Sequence, residues 1–296
     1  MIFGHYRYSD VFQIKESEKA SSITSGHYID IEYNETYANV IQKKVDPQNE
    51  DAVFHEARMR ERAHLDLLKE LIALLSIVTN QSYDLDYMKE LIVRPDDQEI
   101  IPSFSDMSSS REIPRDSSLL RLKQRPHNSW VSIDPLCDDY FKNYFKLDAE
   151  ARERYNASIF LYQSMRKILL TSASMAFIGL ISAIENLMDF ESKKIGQKPI
   201  QCTNCNQPIY SISKRFKEFM IKFSEFDVEN TNSVLNKFYS QRSSISHTGG
   251  IFEIDRLLSR FSMNDTRIFS DIEFHVRIAL FNYLLNYDFG NNAPDK

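Results

Sequence analysis

Hydrophobic and polar positions change their period along this chain, and each change predicts a different kind of structure. In the first fifty residues the period is two. Tyr28-Ile29-Asp30-Ile31-Glu32-Tyr33 alternates apolar and charged side chains, the pattern of a half-buried strand. The aromatic stretch Phe3 to Phe12 is less regular and reads as strand and loop. From about Asp51 the apolar positions take helical spacing through Ala63, Leu67-Leu68, Leu71-Ile72 and Leu74-Leu75, which predicts a long helix over about 51–79. Asp51 serves as an N-cap and Asn80-Gln81-Ser82 as the stop. The apolar face is wide, so more than one neighbour is expected to cover it.

A short helix or strand over 83–101 ends near Arg94-Pro95, and the Ser/Asp/Pro-dense run over about 102–118 predicts a linker. Asn128 to Ile133 reads as a short strand with Trp130 as a packing anchor. From Asp148 onward the pattern is helical: about 148–170, 174–192, 211–223, a fourth helix from a cap at Asn230 to Asn232 up to Gly249-Gly250, and a fifth over about 270–287. The second of these is apolar around most of its circumference, which places it in the core or in an oligomer interface. Ala176, Gly179 and Ala183 give it a small-residue stripe for the close approach of another helix. Glu185 interrupts it, either as a carboxylate at its polar edge or as a site residue. The fold class is therefore mainly α: an N-terminal α+β region over 1–145 and a helical domain over 146–290.

Composition narrows the class further. The chain is 42% hydrophobic and 26% charged with 7 Gly and 9 Pro, which excludes a fibrous or long flexible protein. Its most apolar run, Ile168 to Met188, is broken by Thr171, Ser172, Ser174, Ser182, Glu185 and Asn186, so no membrane span is expected. The N-terminus lacks the layout of a signal peptide, which predicts a cytoplasmic location. A net charge of −6 argues against nonspecific coating of nucleic acid, a mode that needs many phosphate contacts. Between 191 and 222, however, seven basic side chains face two acidic ones. That cluster is either an ordinary solvated surface or a local basic site.

The 3 cysteines fit a reducing compartment and give no disulfide framework. Cys202-x2-Cys205 is half of a four-ligand zinc site. Closing it needs Cys137 and a His, or a second copy of the loop across a dimer; the other reading is an unmetallated loop. A redox dithiol is disfavoured because no βαβ pattern accompanies the pair. His5 and His27 have no nearby ligand partners, and His55 and His64 fall on opposite helix faces.

Candidate chemistry gathers at Phe238-Tyr239-Ser240-Gln241-Arg242-Ser243-Ser244-Ile245-Ser246-His247-Thr248-Gly249-Gly250. Arg242 and His247 lie about 140° apart around a helix and ~7.5 Å apart along it. They share no face unless the Arg stem reaches across or the helix loosens near the glycines. Tyr239 shares a face with Arg242, and Ser243 with His247. The unpaired carbonyls of a helix C-terminus favour a protonated imidazole, which suits an acid–base group. A forked, permanently charged Arg suits a phosphate gaining charge in a transition state. Together they suggest metal-free attack of an RNA 2′-hydroxyl on its own phosphate. A His interacting with the helix dipole and an Arg salt-bridged to a neighbour is the other reading of the same residues.

Arg242-x4-His247 at the end of a late helix, the buried helix Phe177 to Leu187 with Glu185, the Cys202-Thr-Asn-Cys205 loop and Tyr239 ahead of the motif together resemble the HEPN superfamily, most closely its Apea-like branch. The resemblance covers about 148–287. It implies a helical bundle that forms a homodimer, bringing two Arg/His pairs into one basic cleft, and a metal-independent endoribonuclease of a defence or stress system, such as an antiviral toxin. Carried over, Arg242 stabilises the phosphate and His247 acts as acid or base, with Ser243, Tyr239 and Glu185 in support. Lys214, Arg215 and Lys217 are the candidate RNA contacts. No cofactor is required for the catalysis so implied, and zinc would be structural. A Tyr that carries nucleotidylation in some members of the family is replaced here by Gly249, so that form of control is not expected. The alternatives are a HEPN module that binds RNA or a protein without cutting, and a sensor gated by a ligand of residues 1–145.

Overall fold

The computed structural model describes residues 4–17, 29–33, 50–84, 104–118, 120–123, 131–169, 171–194, 196, 200–201, 208–209, 212–225, 231–255 and 263–290, with backbone alone over 50–61, 200–201, 208–209 and 263–266. The chain divides into two units, Met1–Leu119 with Pro126–Asp138, and Leu120–Arg125 with Asp139–Lys296.

The first unit holds an antiparallel sheet of β1 (Tyr6–Tyr8), β2 (Phe12–Glu16) and β3 (Ile29–Tyr33), in that order. Ile14 sits opposite Tyr6 on one side and Ile31 on the other. The charged alternation of 29–33 thus becomes an edge strand, while Phe12 and Ile14 of the central strand are buried. Helix α1 (Glu50–Thr79) stops at Asn80, whose positive φ of 52° is a conformation Asn tolerates better than most residues. Residues 71–80 are all buried, as the wide apolar face requires. His64 is buried and bonds the Tyr33 hydroxyl at 2.5 Å, tying α1 to β3.

One expectation is modified in this unit. The segment 104–118 is irregular, but it is no free linker. His5 N donates to Arg111 O and Ile113 N to His5 O, each at 2.8 Å, Ser105 N donates to Glu32 at 2.8 Å, and Ile113 is buried. The Asp and Ser residues that suggested a linker instead form local turns, Asp106 accepting from Ser108 and Asp116 from Ser118. Of the strand expected over Asn128 to Ile133, residues up to 130, Trp130 included, lie outside the described residues, and Ile133 forms a bridge with Arg115.

The second unit is a helical bundle. Helix α2 (Cys137–Lys146) leads into it, and α3 (Ala149–Ile168) starts where the Asp148 carboxylate caps Ala151 N at 2.8 Å. Helix α4 (Ala173–Lys194) is the centre, packing against α3 and also against three later helices. Its small stripe faces α3. A Cβ on Gly179 would lie 2.0 Å from the Met165 sulfur, and Ser158 Oγ donates to Ala183 O at 2.7 Å. By length and hydropathy α4 would pass as a membrane span despite its polar interruptions, but 67% of its most apolar stretch is buried inside the protein. A two-stranded ribbon, β4 (Ile200–Gln201) with β5 (Pro208–Ile209), flanks the cysteine loop in sequence. Then come α5 (Ile212–Phe223), α6 (Thr231–Thr248), a 3-10 turn (Glu253–Asp255) and α7 (Met263–Leu285).

One buried ionic cluster fastens this bundle. Arg277 of α7 is fully buried; its guanidinium bonds Leu120 O and, at 2.8 Å, Leu122 O, and its Nε meets Glu273 at 3.2 Å. Tyr162 of α3 donates to the same carboxylate. Burial alone would raise the Glu273 carboxyl, but the Arg277 and Arg166 charges outweigh it and hold it below the ordinary range. Truncating Arg277 to Ala removes the nearest cation from the buried Glu273 and the donors to the Leu120 and Leu122 carbonyls, and is expected to cost about 3–5 kcal/mol in urea denaturation; a loss below ~1 kcal/mol would contradict this account.

His275, buried between the Phe274 and Phe238 rings, has its imidazole lowered to about 4 by burial and by Lys123, with Asp271 opposing. A folded-state value below the unfolded 6.5 means the neutral ring is favoured by folding. Its contribution is therefore complete above pH 6.5 and is lost as pH falls toward about 4. In denaturation series across that window, His275→Gln is expected to flatten the slope; an unchanged slope would count against it.

Candidate functional site at the end of helix α6

Helix α6 carries the Arg-x4-His pattern. Its inner face is set by Leu235 and Phe238, both buried, with the Phe238 ring edge-on to Phe177 of α4 at 6.3 Å. Its stop is Gly249, whose φ of +67° is a conformation that any Cβ would strain. Thr248 Oγ1 donates to Ser244 O at 2.7 Å and Gly250 N returns to the same carbonyl at 3.2 Å. The chain beyond is then clamped. Phe252 is buried against Phe177 at 5.3 Å and its N–H donates to Ser174 Oγ at 2.8 Å. Asp255 accepts from the first free N–H groups of α4, Ala173 at 2.6 Å and Ser174 at 2.7 Å.

Arg242 faces α4. Its Nη2 donates to Glu185 Oε2 at 3.2 Å, and Tyr239 Oη donates to Glu185 Oε1 at 3.3 Å. The guanidinium carbon lies 5.8 Å from the Tyr239 ring centre. Both hydrogen bonds are at the long end of the normal range. The side chains of Arg242 and Glu185 are 25% and 18% exposed, so the pair is sheltered without being dry. Arg242 Nε is buried and has no hydrogen-bond partner among the described residues. Burial raises the Tyr239 hydroxyl pKa, and the Glu185 charge adds to the shift. The carboxylate that interrupts the apolar sequence of α4 is thus the anchor of Arg242.

His247 lies in the last turn of α6, exposed to solvent. No hydrogen bond or ion pair joins it to Arg242; the helix keeps the divergence expected for positions five apart. Ser243 is exposed beside it. Together with Asn236, Ser240, Ser244, Thr248, Tyr239 and Ser213 of α5, it lines an open recess of about 580 Å³. An adjoining recess of about 630 Å³ shares Ser213 and Tyr239 and is lined further by Ile212, Lys214, Lys217, Glu218, Ile221 and Asn232. Asn236 was not singled out in the sequence and Ser240 and Thr248 only as members of the 238–250 stretch, although Asn236, Ser240, Ser244 and Thr248 recur every four residues, a readable signal of one helix face.

The basic candidates separate. Lys214 and Lys217 line the larger recess, Lys214 also standing 3.8 Å from Glu218. Arg215 instead donates to Ser192 Oγ of α4 at 3.1 Å, so it braces the bundle. Cys202 and Cys205 lie outside the described residues. Cys137 belongs to the first unit, where it is buried, accepts from Arg115 at 3.0 Å and has its thiol pushed up to about 12 by burial. Among the described residues no group of three His, Cys, Asp or Glu side chains is arranged around a metal-sized space.

The Glu185–Arg242 contact can be measured directly. In a double-mutant cycle with Glu185→Ala and Arg242→Ala, a coupling of roughly 0.5–1 kcal/mol is expected in denaturation experiments. Additive effects would mean that the two side chains do not hold each other.

Comparison with known proteins leaves the chain on its own: no family model matches it, nor does any curated protein or solved structure.

Proposed function

We propose that this protein is a metal-independent endoribonuclease of the HEPN type, acting in the cytoplasm in a defence or stress response. The observation that carries the reading is the arrangement on α6. Glu185 and Tyr239 orient a cation within the helix, and an exposed imidazole stands about one and a half turns further on, at a clamped helix end. In this mechanism the RNA 2′-hydroxyl loses its proton to a base and its oxygen attacks the adjacent phosphorus. The bond to the 5′-oxygen breaks, and that oxygen takes up a proton, leaving a 2′,3′-cyclic phosphate and a 5′-hydroxyl. His247 serves as acid or base, and Arg242 neutralises the charge gathering on the phosphate oxygens. Because the two side chains diverge on one helix, the complete site is assigned to a homodimer that supplies a second pair.

The second reading is a module that binds RNA or a protein without cutting. It is favoured by the same ion pair, since an Arg engaged by Glu185 is partly neutralised already.

RNA incubated with the full-length protein in EDTA is expected to be cut. Arg242→Ala and His247→Ala should each lower the rate by roughly 10²–10⁴-fold with unchanged circular dichroism. A 2′-deoxy substitution at the scissile nucleotide should block the reaction. Cutting that survives in both variants removes the site assignment, and binding without product establishes the second reading.

A further inference from the structure

We infer that the groove between α5 and α6 is a binding track for single-stranded RNA flanking the scissile phosphate, with Tyr239 as its central base platform. The inference rests on the endoribonuclease reading and adds where, and by what contacts, the substrate lies. Two recesses of about 630 and 580 Å³ adjoin at Ser213 and Tyr239, and each is within the range of small-ligand sites, about 300–1,000 Å³. Their linings differ in chemistry. The larger carries two lysines against one acid, Lys214 and Lys217 with Glu218 3.8 Å from Lys214, beside Ile221, which is 52% exposed. The smaller is uncharged and rich in hydroxyls and one amide, with Asn236, Ser240 and Ser243 leading toward the His247 end of the helix.

A single strand has the same division: phosphates that need cations, and bases with hydrogen-bonding edges and apolar faces. Lysines with an exposed aliphatic side chain suit a phosphate and the face of a base in the larger recess. The amide and hydroxyls suit a base edge in the smaller one. Tyr239 is held for the platform role, because its hydroxyl is bonded to Glu185 and its ring packs 5.7 Å from Phe216. A duplex presents its bases paired and stacked, so the groove selects single strands.

The test is fluorescence anisotropy with a fluorescein-labelled, mixed-sequence 12-nucleotide single-stranded RNA, using the full chain with His247→Ala to suppress cutting. Lys214→Ala with Lys217→Ala is expected to weaken binding and to lower the slope of log K against log salt by about 0.7 for each phosphate that is no longer neutralised. Asn236→Ala with Ser240→Ala should weaken binding at an unchanged salt slope. Tyr239→Leu should cost roughly 5- to 150-fold, and Tyr239→Phe should retain most of the affinity. Affinity unchanged in all three sets, no binding at all, or tighter binding to the duplex form of the same sequence would each overturn the inference, even if the wild-type protein cuts RNA. Binding abolished in the variants while the wild type cuts nothing upholds the groove and defeats the nuclease reading alone.

Discussion

Helix α4 buries most of its circumference, and the second unit is built around that constraint. Thirteen of its side chains are buried, and each large aliphatic or aromatic one contributes about 1.5–3 kcal/mol when removed from water. Burial of that size requires neighbours on every side, which α3, α5, α6 and α7 supply. Apolar burial does not fix the rotation or register of those neighbours, because it has no direction. The polar groups on α4 do that. Asn186 donates to Arg154 O and Ser158 Oγ of α3, both at 2.8 Å. Glu185 accepts from α6, and the N-terminus of α4 is capped by Asp255 from the segment that follows α6. A few contacts worth about 1 kcal/mol each thereby orient a helix that tens of apolar contacts hold in place.

The strength of the Arg242 contact matters as much as its existence. With a quarter of its side chain exposed and hydrogen bonds beyond 3 Å, the pair resembles surface ion pairs, which contribute about 0–1 kcal/mol, more than fully desolvated ones. An RNA phosphodiester has the same single charge and two acceptor oxygens as such a carboxylate and gains charge in the transition state, so it would compete with it. The carboxylate keeps a long, flexible side chain near one rotamer, and so reduces the entropy lost when a phosphate takes over. A weak anchor can therefore orient a cation without withdrawing it from use. The contrast within the same unit is Arg277, fully buried with its donors on Glu273 and two carbonyls, which has no such freedom.

Much of this was readable in the sequence because it follows local rules. The apolar circumference of α4, the small stripe at Ala176, Gly179 and Ala183, the helix start near Asp148 and the Gly249 stop each depend on a few consecutive residues. What was not readable depends on contacts distant in sequence. Glu185 and Arg242 meet across 57 positions, and periodicity carries no information on such a pair. The basic run from Lys214 to Lys217 looked uniform, yet the helix turns Arg215 toward Ser192 and leaves the two lysines at the groove. The Ser/Asp-rich segment near 104–118 looked like a linker because turn residues have the same composition whether or not a loop is pinned by a neighbouring strand.

The helix end also bears on how Arg242 and His247 could act together. Two routes within one chain are open to residues that diverge by about 140°. One is loosening of the last turn near the glycines. That turn is closed by bonds from Thr248 and Gly250 to Ser244 O, and the chain after it is fixed by the buried Phe252 and by Asp255 on α4. Unwinding it would release all of these ties, so the route is opposed. The other is a reach of the Arg stem across the helix, which would take the guanidinium off Glu185 and away from the Tyr239 ring. Both intrachain routes dismantle the features that order the site, whereas a second copy needs neither change. A composite site, as proposed, would depend chiefly on the stiffness of this helix end, with the carboxylate that orients Arg242 on α4 as the weaker restraint.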